Sequence, residues 1–398
     1  MRLLFLLPFP PDPCGAHGAS RMTGQLLEGV VARHEVGAIY MRAPDEPPID
    51  SALAGRLALA VEVRRPGLSG PLGRALGIAR GRPTWATDWA VPEFARRVRE
   101  AVLDWHPQLV QAELSVMGQY LAGARLDPAL GGWPPSVLVD HDPGAATAKE
   151  LAGWERGLRR VGRRLDAAAW RRYERRVFGA ADAVVVLSDE DRARIATTAP
   201  PRRVSQIAPG VDPAAAAVDP GGQAVVFVGG FGHPPNVEAA LRLGRAIFPA
   251  VRARVPGATL EIVGGDPPAQ LRALAGKGVT VTGRVPDTRP HIDRAAVVVA
   301  PLSLGGGMRV KVLEALAMGK ALVATPRALA GIDLTPGDQA LVGETDAELA
   351  EAIATLLVDP ERRRRLGEAA HDWAAEHLAW PRTLDEYDRL YAALVDRP

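Results

Sequence analysis

The chain has 398 residues, of which 47% are apolar and 24% charged, and this composition argues against a disordered protein. Its length predicts two domains, each large enough to bury a core of its own. The net charge of +2 is uninformative, and the charge difference between the two halves of the chain is too small for a nucleic-acid binder. A single cysteine, Cys14, excludes an intramolecular disulfide. The sequence contains no apolar run long enough to indicate a membrane span, and a reducing, cytoplasmic location is expected.

The first half of the chain alternates short apolar strands with amphipathic helices. Strands are predicted at residues 3–7, 36–40, 109–112, 137–140 and 183–187. Helices are predicted at residues 20–33, 92–104, 151–178 and 189–198. Alternation of this kind implies a parallel sheet with helices on both faces. The first half is therefore predicted to be a Rossmann-like domain.

The second half repeats this alternation after a segment rich in proline, glycine and alanine at residues 208–222, which is typical of an interdomain linker. Strands are predicted at residues 225–229, 259–263, 279–282, 297–300 and 321–325. Helices are predicted at residues 236–255, 268–275, 288–294, 308–318, 346–357, 360–378 and 383–395.

The fold class predicted from this pattern is α/β, with two Rossmann-like, doubly wound domains facing a cleft. The domains are placed at residues 1–208 and 209–380, and the last helix, about 381–398, is expected to pack back on the first domain. Ligands of such folds bind at the carboxyl ends of the strands, so the cleft is the expected site.

The most informative motif lies at residues 301–320, where a strand runs into three consecutive glycines and then a helix. Backbone N–H groups at such a turn, together with the helix dipole, favour a bound anion. The turn consists of Gly305, Gly306 and Gly307, and the helix begins near Met308. Arg309 and Lys311 add two cations at the helix start, and Glu314 adds a carboxylate about one turn further on. An ordinary solvated first turn carries similar residues, but this chain has four lysines against forty-four arginines, so a lysine here is not a default choice. The motif predicts a nucleotide-diphosphate site, with the carboxylate accepting hydrogen bonds from ribose hydroxyls.

Together with other motifs in the same order, this segment resembles GT-B fold glycosyltransferases, specifically the retaining family 4 group. The matching segments run through nearly the whole chain: residues 15–21, 34–36, 140–142, 185–191, 209–212, 227–229, 235–236, 262–264 and 283–287. The family transfers a sugar from a nucleotide-sugar donor, bound mainly by the C-terminal domain, to an acceptor bound mainly by the N-terminal domain. The resemblance implies no cofactor other than the nucleotide sugar as co-substrate, and no metal.

The resemblance assigns the ribose-binding role to Glu314, the second glutamate of a motif in which seven residues separate two glutamates. The first glutamate would fall at Gly306, so that half of the motif is absent, and the sugar cannot be inferred from it. A basic pair usual in the family is also not apparent in residues 229–236. We expect Arg309 and Lys311 to supply the missing positive charge from the other side.

Further donor-site and catalytic residues are implied by position or by the resemblance. His141 ends an apolar strand and is expected near the reacting sugar, where with Arg309 and Lys311 it forms the predicted catalytic set. Arg21 is expected either to pair with phosphate or to cap its helix at the surface. Asn236 is expected to cap its helix. The remaining predicted donor-binding residues are loop and strand-end positions: Gly15, Gly18, Gly229, Gly230, Gly264, Arg284 and Val285.

Several functional alternatives remain open from the sequence. They are a nucleotide-sugar epimerase on the same scaffold, a catalytically silent regulatory partner, and an inverting transferase with His17 as general base. Nine arginines interleaved with apolar residues at 156–176 are typical either of a helix lying on anionic lipid or of a core-packed helix with a solvated arginine face, and we favour the second. Peripheral contact with the inner membrane face is thus a secondary expectation. The segment 63–89 is predicted to lie near the acceptor, which can be a carbohydrate, a lipid-linked sugar or a small molecule.

Overall fold

Two parallel sheets organise the chain in a computed structural model that describes residues 1–13, 18–44, 46–141, 144–154, 157–198, 202–214, 216–304 and 309–396. The first sheet has seven strands in the order β3-β2-β1-β4-β5-β6-β7. They are β1 Arg2–Leu7, β2 Glu35–Arg42, β3 Leu59–Arg64, β4 Leu109–Glu113, β5 Ser136–Asp140, β6 Ala183–Val186 and β7 Val204–Gln206.

The second sheet has six strands in the order β10-β9-β8-β11-β12-β13. They are β8 Ala224–Val228, β9 Thr259–Val263, β10 Val279–Val281, β11 Val297–Ala300, β12 Leu322–Ala324 and β13 Leu341–Val342. Each pair of neighbouring strands is parallel. The predicted fold class of two doubly wound α/β domains is confirmed.

Helices cover both faces of each sheet. In the first half they are α1 Gly18–Val30, α2 Ser51–Ala54, α3 Pro71–Ala79, α4 Thr84–Asp88, α5 Pro92–Trp105, α6 Gly118–Ala124, α7 Gly144–Trp154, α8 Gly157–Ala180 and α9 Asp189–Thr198. In the second half they are α10 Pro234–Arg242, α11 Phe248–Arg254, α12 Ala269–Arg272, α13 Arg289–Asp293, α14 Val310–Ala317, α15 Asp346–Val358, α16 Pro360–His377 and α17 Trp380–Val395.

The first strand shows why these apolar runs become buried strands. Residues 3–7 of β1 are all 0% exposed. Leu4 and Leu6 pack into one core layer, whereas Leu3, Phe5 and Leu7 pack into the layer on the opposite face. A strand with apolar side chains on both faces is stable only between two layers of helices, which is the arrangement observed.

The single helix predicted at residues 151–178 is wrong, because the structure has two helices there, α7 and α8. Gly157 begins α8 with φ of +58°, a left-handed conformation that glycine adopts without strain. The two helices pack on each other, and Gly144 fits against Trp170, since a Cβ on Gly144 would lie 2.6 Å from the indole ring. The segment is therefore a helical hairpin.

The chain passes from the first half to the second near Val211 and returns to the first half near Leu378. We call these two passages the paired crossings, and they lie side by side. Val211 N donates to Leu378 O at 2.8 Å. Gly210 leaves room for Trp380, because a Cβ on Gly210 would come within 2.4 Å of the indole. Beyond this point α17 lies on α1, where Arg33 forms ion pairs of 2.7 Å with both Asp385 and Asp388. We call α17 the crossing helix.

None of the helices in the described part of the chain is long and apolar enough to cross a membrane.

Candidate functional site

Two helix N-termini, one from each half of the chain, meet at the cleft. α1 begins at Gly18 and α14 begins at Val310, with Arg309 as its N-cap residue. A Cβ on Gly18 would lie 3.3 Å from Val310 Cβ, so the two helix starts are in contact. Unpaired N–H groups and the helix dipole make each N-terminus favourable for an anion, and here both point toward the same region.

Lys311 reaches from α14 to the turn after β8. Its ammonium donates to Asn236 Oδ1 at 2.6 Å and lies 4.7 Å from the centroid of the Phe227 ring. Gly229 makes room for it, because a Cβ there would come within 3.0 Å of Lys311 Nζ. Burial, followed by the nearby Arg309 cation, lowers the pKa of Lys311 to about 7. The lysine thus brings its amine to the same turn in which the sequence lacks the basic pair usual in the family.

Glu314 lies one turn further along α14 and pairs with a residue of the opposite half of the chain. Arg21 Nη1 lies 2.6 Å from Glu314 Oε1, and the two side chains are only 6% and 14% exposed. The same Arg21 atom donates to Thr288 Oγ1 at 3.1 Å. Burial raises the pKa of Glu314, while the charge of Arg21 opposes this shift. The carboxylate predicted to hold ribose is therefore tied across the cleft.

The turns after β8, β9 and β10 are held together by their backbones. Gly229 N donates to Val263 O at 2.9 Å, and Gly264 N donates to Gly283 O at 3.3 Å. A Cβ on Gly264, whose φ is +154°, would lie 1.9 Å from Gly229 O. Only glycine permits this close approach, which sets the shape of the cleft floor beside Lys311.

The other predicted residues of this region lie around the same turns. Gly230 is exposed, and its carbonyl accepts a hydrogen bond of 2.9 Å from Asn236 Nδ2. Val285 is half-buried. Arg284 is exposed and lies 3.2 Å from Asp266, measured from Nη2 to Oδ2. These predicted donor-binding positions lie together next to the strand ends of the second sheet.

His141 follows β5 at the cleft end of the first sheet. Its Nε2 lies 2.7 Å from Glu113 Oε2, and the two side chains are 9% and 1% exposed. Glu113 ends the neighbouring strand, β4, and its other oxygen accepts a hydrogen bond of 2.6 Å from Gln111 Nε2. Gln111 Oε1 accepts another of 2.6 Å from the hydroxyl of Tyr391 on the crossing helix. His141 is thus the outer end of a buried polar chain.

One expectation for an individual residue is wrong, and one of two alternatives for another is excluded. Asn236 does not cap its helix, because α10 begins at Pro234 with His233 as N-cap, and Asn236 instead links Lys311 to the Gly230 carbonyl. Arg21 is not a surface cap, because the whole residue is 5% exposed and its guanidinium pairs with Glu314. The predicted residues Gly15, Gly305, Gly306, Gly307 and Met308, and the alternative base His17, lie outside the described residues.

Sequence reasoning missed Gln111, Glu113, Tyr391 and Thr288. The first two stand in a strand that is otherwise apolar and fully buried, and polar residues at such positions need partners. That pattern could have indicated a buried polar network. The partners, His141 and Tyr391, lie just past β5 and on the crossing helix, and no local sequence pattern connects these elements to β4. Within the described ranges, no three His, Cys, Asp or Glu residues lie together in a way that could hold a metal ion.

Family models match both halves of the chain. The model described as Glycosyltransferase Family 4 matches residues 16–215, which is half of the chain. The model described as Glycosyl transferases group 1 matches residues 222–359. The chain belongs to glycosyltransferase family 4.

Curated relatives match over part of their length. A GDP-mannose-dependent alpha-(1-6)-phosphatidylinositol monomannoside mannosyltransferase of Mycobacterium tuberculosis is 31% identical over 248 residues, which are 56% of this chain and 63% of that protein. A mannosyltransferase with the same description from Mycolicibacterium smegmatis is 30% identical over 232 residues, or 52% of this chain and 61% of that protein. The match thus spans less than two thirds of these relatives.

Solved structures agree with the fold over its whole length. Sucrose-phosphate synthase from Thermosynechococcus elongatus has a TM-score of 0.72 at 19% identity, covering 99% of both chains. HepE of Anabaena, solved in complex with UDP and glucose, has a TM-score of 0.68 at 13% identity and covers 99% of both chains. At these identities the likeness shows the fold, which is the GT-B arrangement predicted from the sequence.

Proposed function

We propose that this protein transfers a sugar from a nucleotide-diphosphosugar to an acceptor hydroxyl and retains the anomeric configuration. The observation that carries the proposal is the convergence of two helix N-termini, Arg309 and Lys311 on one region of the cleft, with Glu314 one turn away. This arrangement suits a diphosphate joined to a ribose. The names of the relatives make GDP-mannose the first donor to test, and the structure of HepE with UDP supports the class of ligand.

In the proposed reaction, the bond between the anomeric carbon and the β-phosphate oxygen breaks, and the electron pair stays on that oxygen. Arg309, the Lys311 ammonium and the start of α14 stabilise the charge that develops there. The acceptor oxygen then bonds to the anomeric carbon on the same face of the sugar, and its proton goes to the leaving phosphate. The products are a glycoside and a nucleoside diphosphate. The two cations supply the charge that a metal supplies in other transferases, so the scheme uses neither a metal nor a further cofactor.

We assign the other predicted residues to the two sides of this reaction. Glu314 holds the ribose hydroxyls, and His141 contacts the sugar. The turns that contain Gly229, Gly264 and Val285 form the wall beside the nucleotide. The acceptor is proposed to bind on the side of the first sheet, next to the segment 63–89.

The proposed enzyme is cytoplasmic and touches the membrane peripherally. The supporting observation is a group of exposed leucine and valine side chains around α3 and on the first half of α8, at 48–74% exposure: Leu68, Leu72, Leu76, Val161 and Leu165. The two helices pack side by side, and the exposed arginines Arg159, Arg160 and Arg164 flank the group. We call these residues the α3–α8 surface. Apolar side chains beside cations are the chemistry that binds anionic lipid, and the relatives named above act on a phosphatidylinositol derivative.

A thermal-shift screen over nucleotide sugars, followed by turnover assays, tests the transfer. The donor should raise the melting temperature, because a ligand at 100 times its Kd stabilises the native state by about 2.7 kcal/mol. With that donor, Arg309→Ala and Lys311→Ala should each lower kcat by about 100-fold or more. Arg254→Ala is the matched control, since it removes an exposed cation on α11.

Four outcomes would contradict the proposal. Unchanged turnover in the Arg309→Ala and Lys311→Ala variants would remove these residues from the mechanism. Conversion of the donor to an isomeric nucleotide sugar without any acceptor would indicate an epimerase. Donor binding without any turnover would indicate a regulatory partner. A product of inverted anomeric configuration would indicate the alternative mechanism with a general base.

A further inference from the structure

We infer that Glu113 is the positioning residue that holds His141 in place for sugar transfer, and that it does so through a polar chain reaching to Tyr391 of the crossing helix. The inference rests on the proposed function, since it gives His141 a place beside the donor sugar. It gives roles to Glu113, Gln111 and Tyr391, which are not among the residues predicted for the site.

The sheet itself brings the two side chains together. β4 and β5 are neighbours, and their register pairs Glu113 with Val139. His141 follows two residues later, beyond the end of β5 at the cleft. A carboxylate at the end of one strand therefore faces an imidazole just past the end of the next, and the observed separation of 2.7 Å is a hydrogen bond.

The donors and acceptors along the chain fix the hydrogen on the His141 ring. The Tyr391 hydroxyl donates to Gln111 Oε1, which leaves the amide of Gln111 to donate to Glu113 Oε1. The Glu113 carboxylate then accepts at Oε2 from His141 Nε2. As a result Nε2 carries a hydrogen, and Nδ1 is the ring nitrogen left for a partner outside the chain.

Burial makes this arrangement costly to disturb. Gln111 and Tyr391 are 0% exposed and Glu113 is 1% exposed. A buried carboxylate that loses a hydrogen-bond donor destabilises the protein, because no water replaces that donor. Each side chain of the polar chain therefore keeps its neighbour in one orientation. A ring held in this way does not have to be ordered again during each reaction cycle, which is the reason that a fixed partner speeds catalysis.

The chain also connects the site to the crossing helix. Tyr391 belongs to α17, which starts at the paired crossings near Val211 and Leu378. Gln111 and Tyr391 are 280 residues apart in sequence, so the contact forms only when α17 is docked on the first sheet. The position of His141 therefore depends on a helix that the chain enters directly from the donor-binding half.

A double-mutant cycle tests whether Glu113 acts through His141. Glu113→Gln should lower kcat by about 10–100-fold with little change in KM for the donor, as for carboxylates that orient a functional histidine. His141→Ala should lower kcat at least as much. The double variant should be no slower than His141→Ala alone, because the glutamate has no role once the ring is gone. Additive losses, or wild-type kcat in Glu113→Gln, would overturn the inference.

A matched control separates positioning from folding. Asp182 is a partly buried carboxylate just before β6, with a side chain 18% exposed, and it accepts from Ser136 N at 3.0 Å at the amino end of the strands, away from the cleft. Asp182→Asn should lower the melting temperature and leave kcat unchanged. If Asp182→Asn lowers kcat as much as Glu113→Gln does, the effect at Glu113 is merely structural and the inference fails.

The hydrogen on the ring can be observed without any assay. Long-range ¹H–¹⁵N NMR of the wild-type protein, with the His141 signals assigned by their loss in His141→Ala, should show the hydrogen on Nε2. A neutral ring with its hydrogen on Nδ1 would overturn the inference even if Glu113→Gln fails to fold. If the wild-type protein turns over no nucleotide sugar, the proposed function fails, whereas this spectrum still decides whether Glu113 holds the ring.

Discussion

Lys311 is an enclosed lysine whose pKa lies near neutrality, and this has a measurable consequence for donor binding. Below the pKa of about 7 the amine is already charged, so the affinity for a nucleotide sugar should not depend on pH. Above it the neutral amine must take up a proton when the diphosphate binds, and the affinity should fall by about tenfold for each pH unit. The affinity falls with rising pH because burial disfavours the Lys311 ammonium in the free protein, whereas the bound anion favours it.

Calorimetric titration from about pH 6 to pH 9 measures this dependence, with a proton uptake that approaches about one per donor at the upper end. An intact nucleotide sugar is the right probe, because its two phosphates do not titrate in this range. The Lys311→Met variant should bind the nucleotide sugar more weakly than the wild type at low pH, and its affinity should not change with pH. A wild-type affinity that stays level across the whole range would contradict the prediction.

At the scale of single residues, the sequence could predict what lies within one segment. The glycine turn, Arg309, Lys311 and Glu314 lie within ten residues, so the sequence of this segment predicts an anion site. It does not predict which side chains contact these residues in the folded protein. Arg21 and Glu314 are 293 positions apart, and Asn236 binds Lys311 instead of capping its own helix, because the tertiary fold offers it a charged partner.

At the scale of elements, the cleft floor depends on two glycine turns that touch. Gly264→Ala should destabilise the protein by about 2–3 kcal/mol, because the new Cβ would overlap the Gly229 carbonyl and the backbone lies in a region that alanine avoids. It should also weaken donor binding, because the Gly229 turn also supports Lys311. Urea unfolding and donor titration measure the two effects.

Gly230→Ala is the matched control for this prediction. Gly230 is a neighbour in the same turn, but a Cβ there meets no atom within 4 Å. Its unfolding free energy should change by less than about 0.5 kcal/mol. Equal destabilisation by the two substitutions would show that the overlap at Gly264 is not the cause.

Most strands could be predicted from the sequence, and three strands at sheet edges could not. Strands such as β9 and β11 have the predicted bounds, because an apolar run between turn residues defines a strand buried on both faces. β3, β7 and β13 are edge strands that were missed, because β7 and β13 have only three and two residues and β3 is mostly not buried. The sequence predicts no helix within the segment 63–89, yet this segment contains α3 and α4, whose exposed faces blur the helical pattern.

At the scale of the whole molecule, the two halves contact each other at two places. The paired crossings join them near Val211 and Leu378, and the buried ion pair of Arg21 and Glu314 joins them across the cleft. The alternation of strands and helices predicts two domains and a cleft between them. It does not predict which side chains bridge the cleft, because such contacts depend on how the two sheets are placed relative to each other.

The α3–α8 surface leads to a prediction about where the whole molecule works. The protein should sediment with vesicles that contain phosphatidylglycerol and much less with vesicles of phosphatidylcholine alone, and added salt should weaken the binding. The variant carrying both Leu68→Glu and Leu72→Glu should lose most of this binding, since it puts carboxylates where apolar contact is expected. Leu126→Glu is the matched control, because Leu126 is 77% exposed but follows α6, outside the α3–α8 surface. Equal binding by the double variant and the control would assign the vesicle contact to another surface, and no binding by the wild-type protein would contradict peripheral attachment altogether.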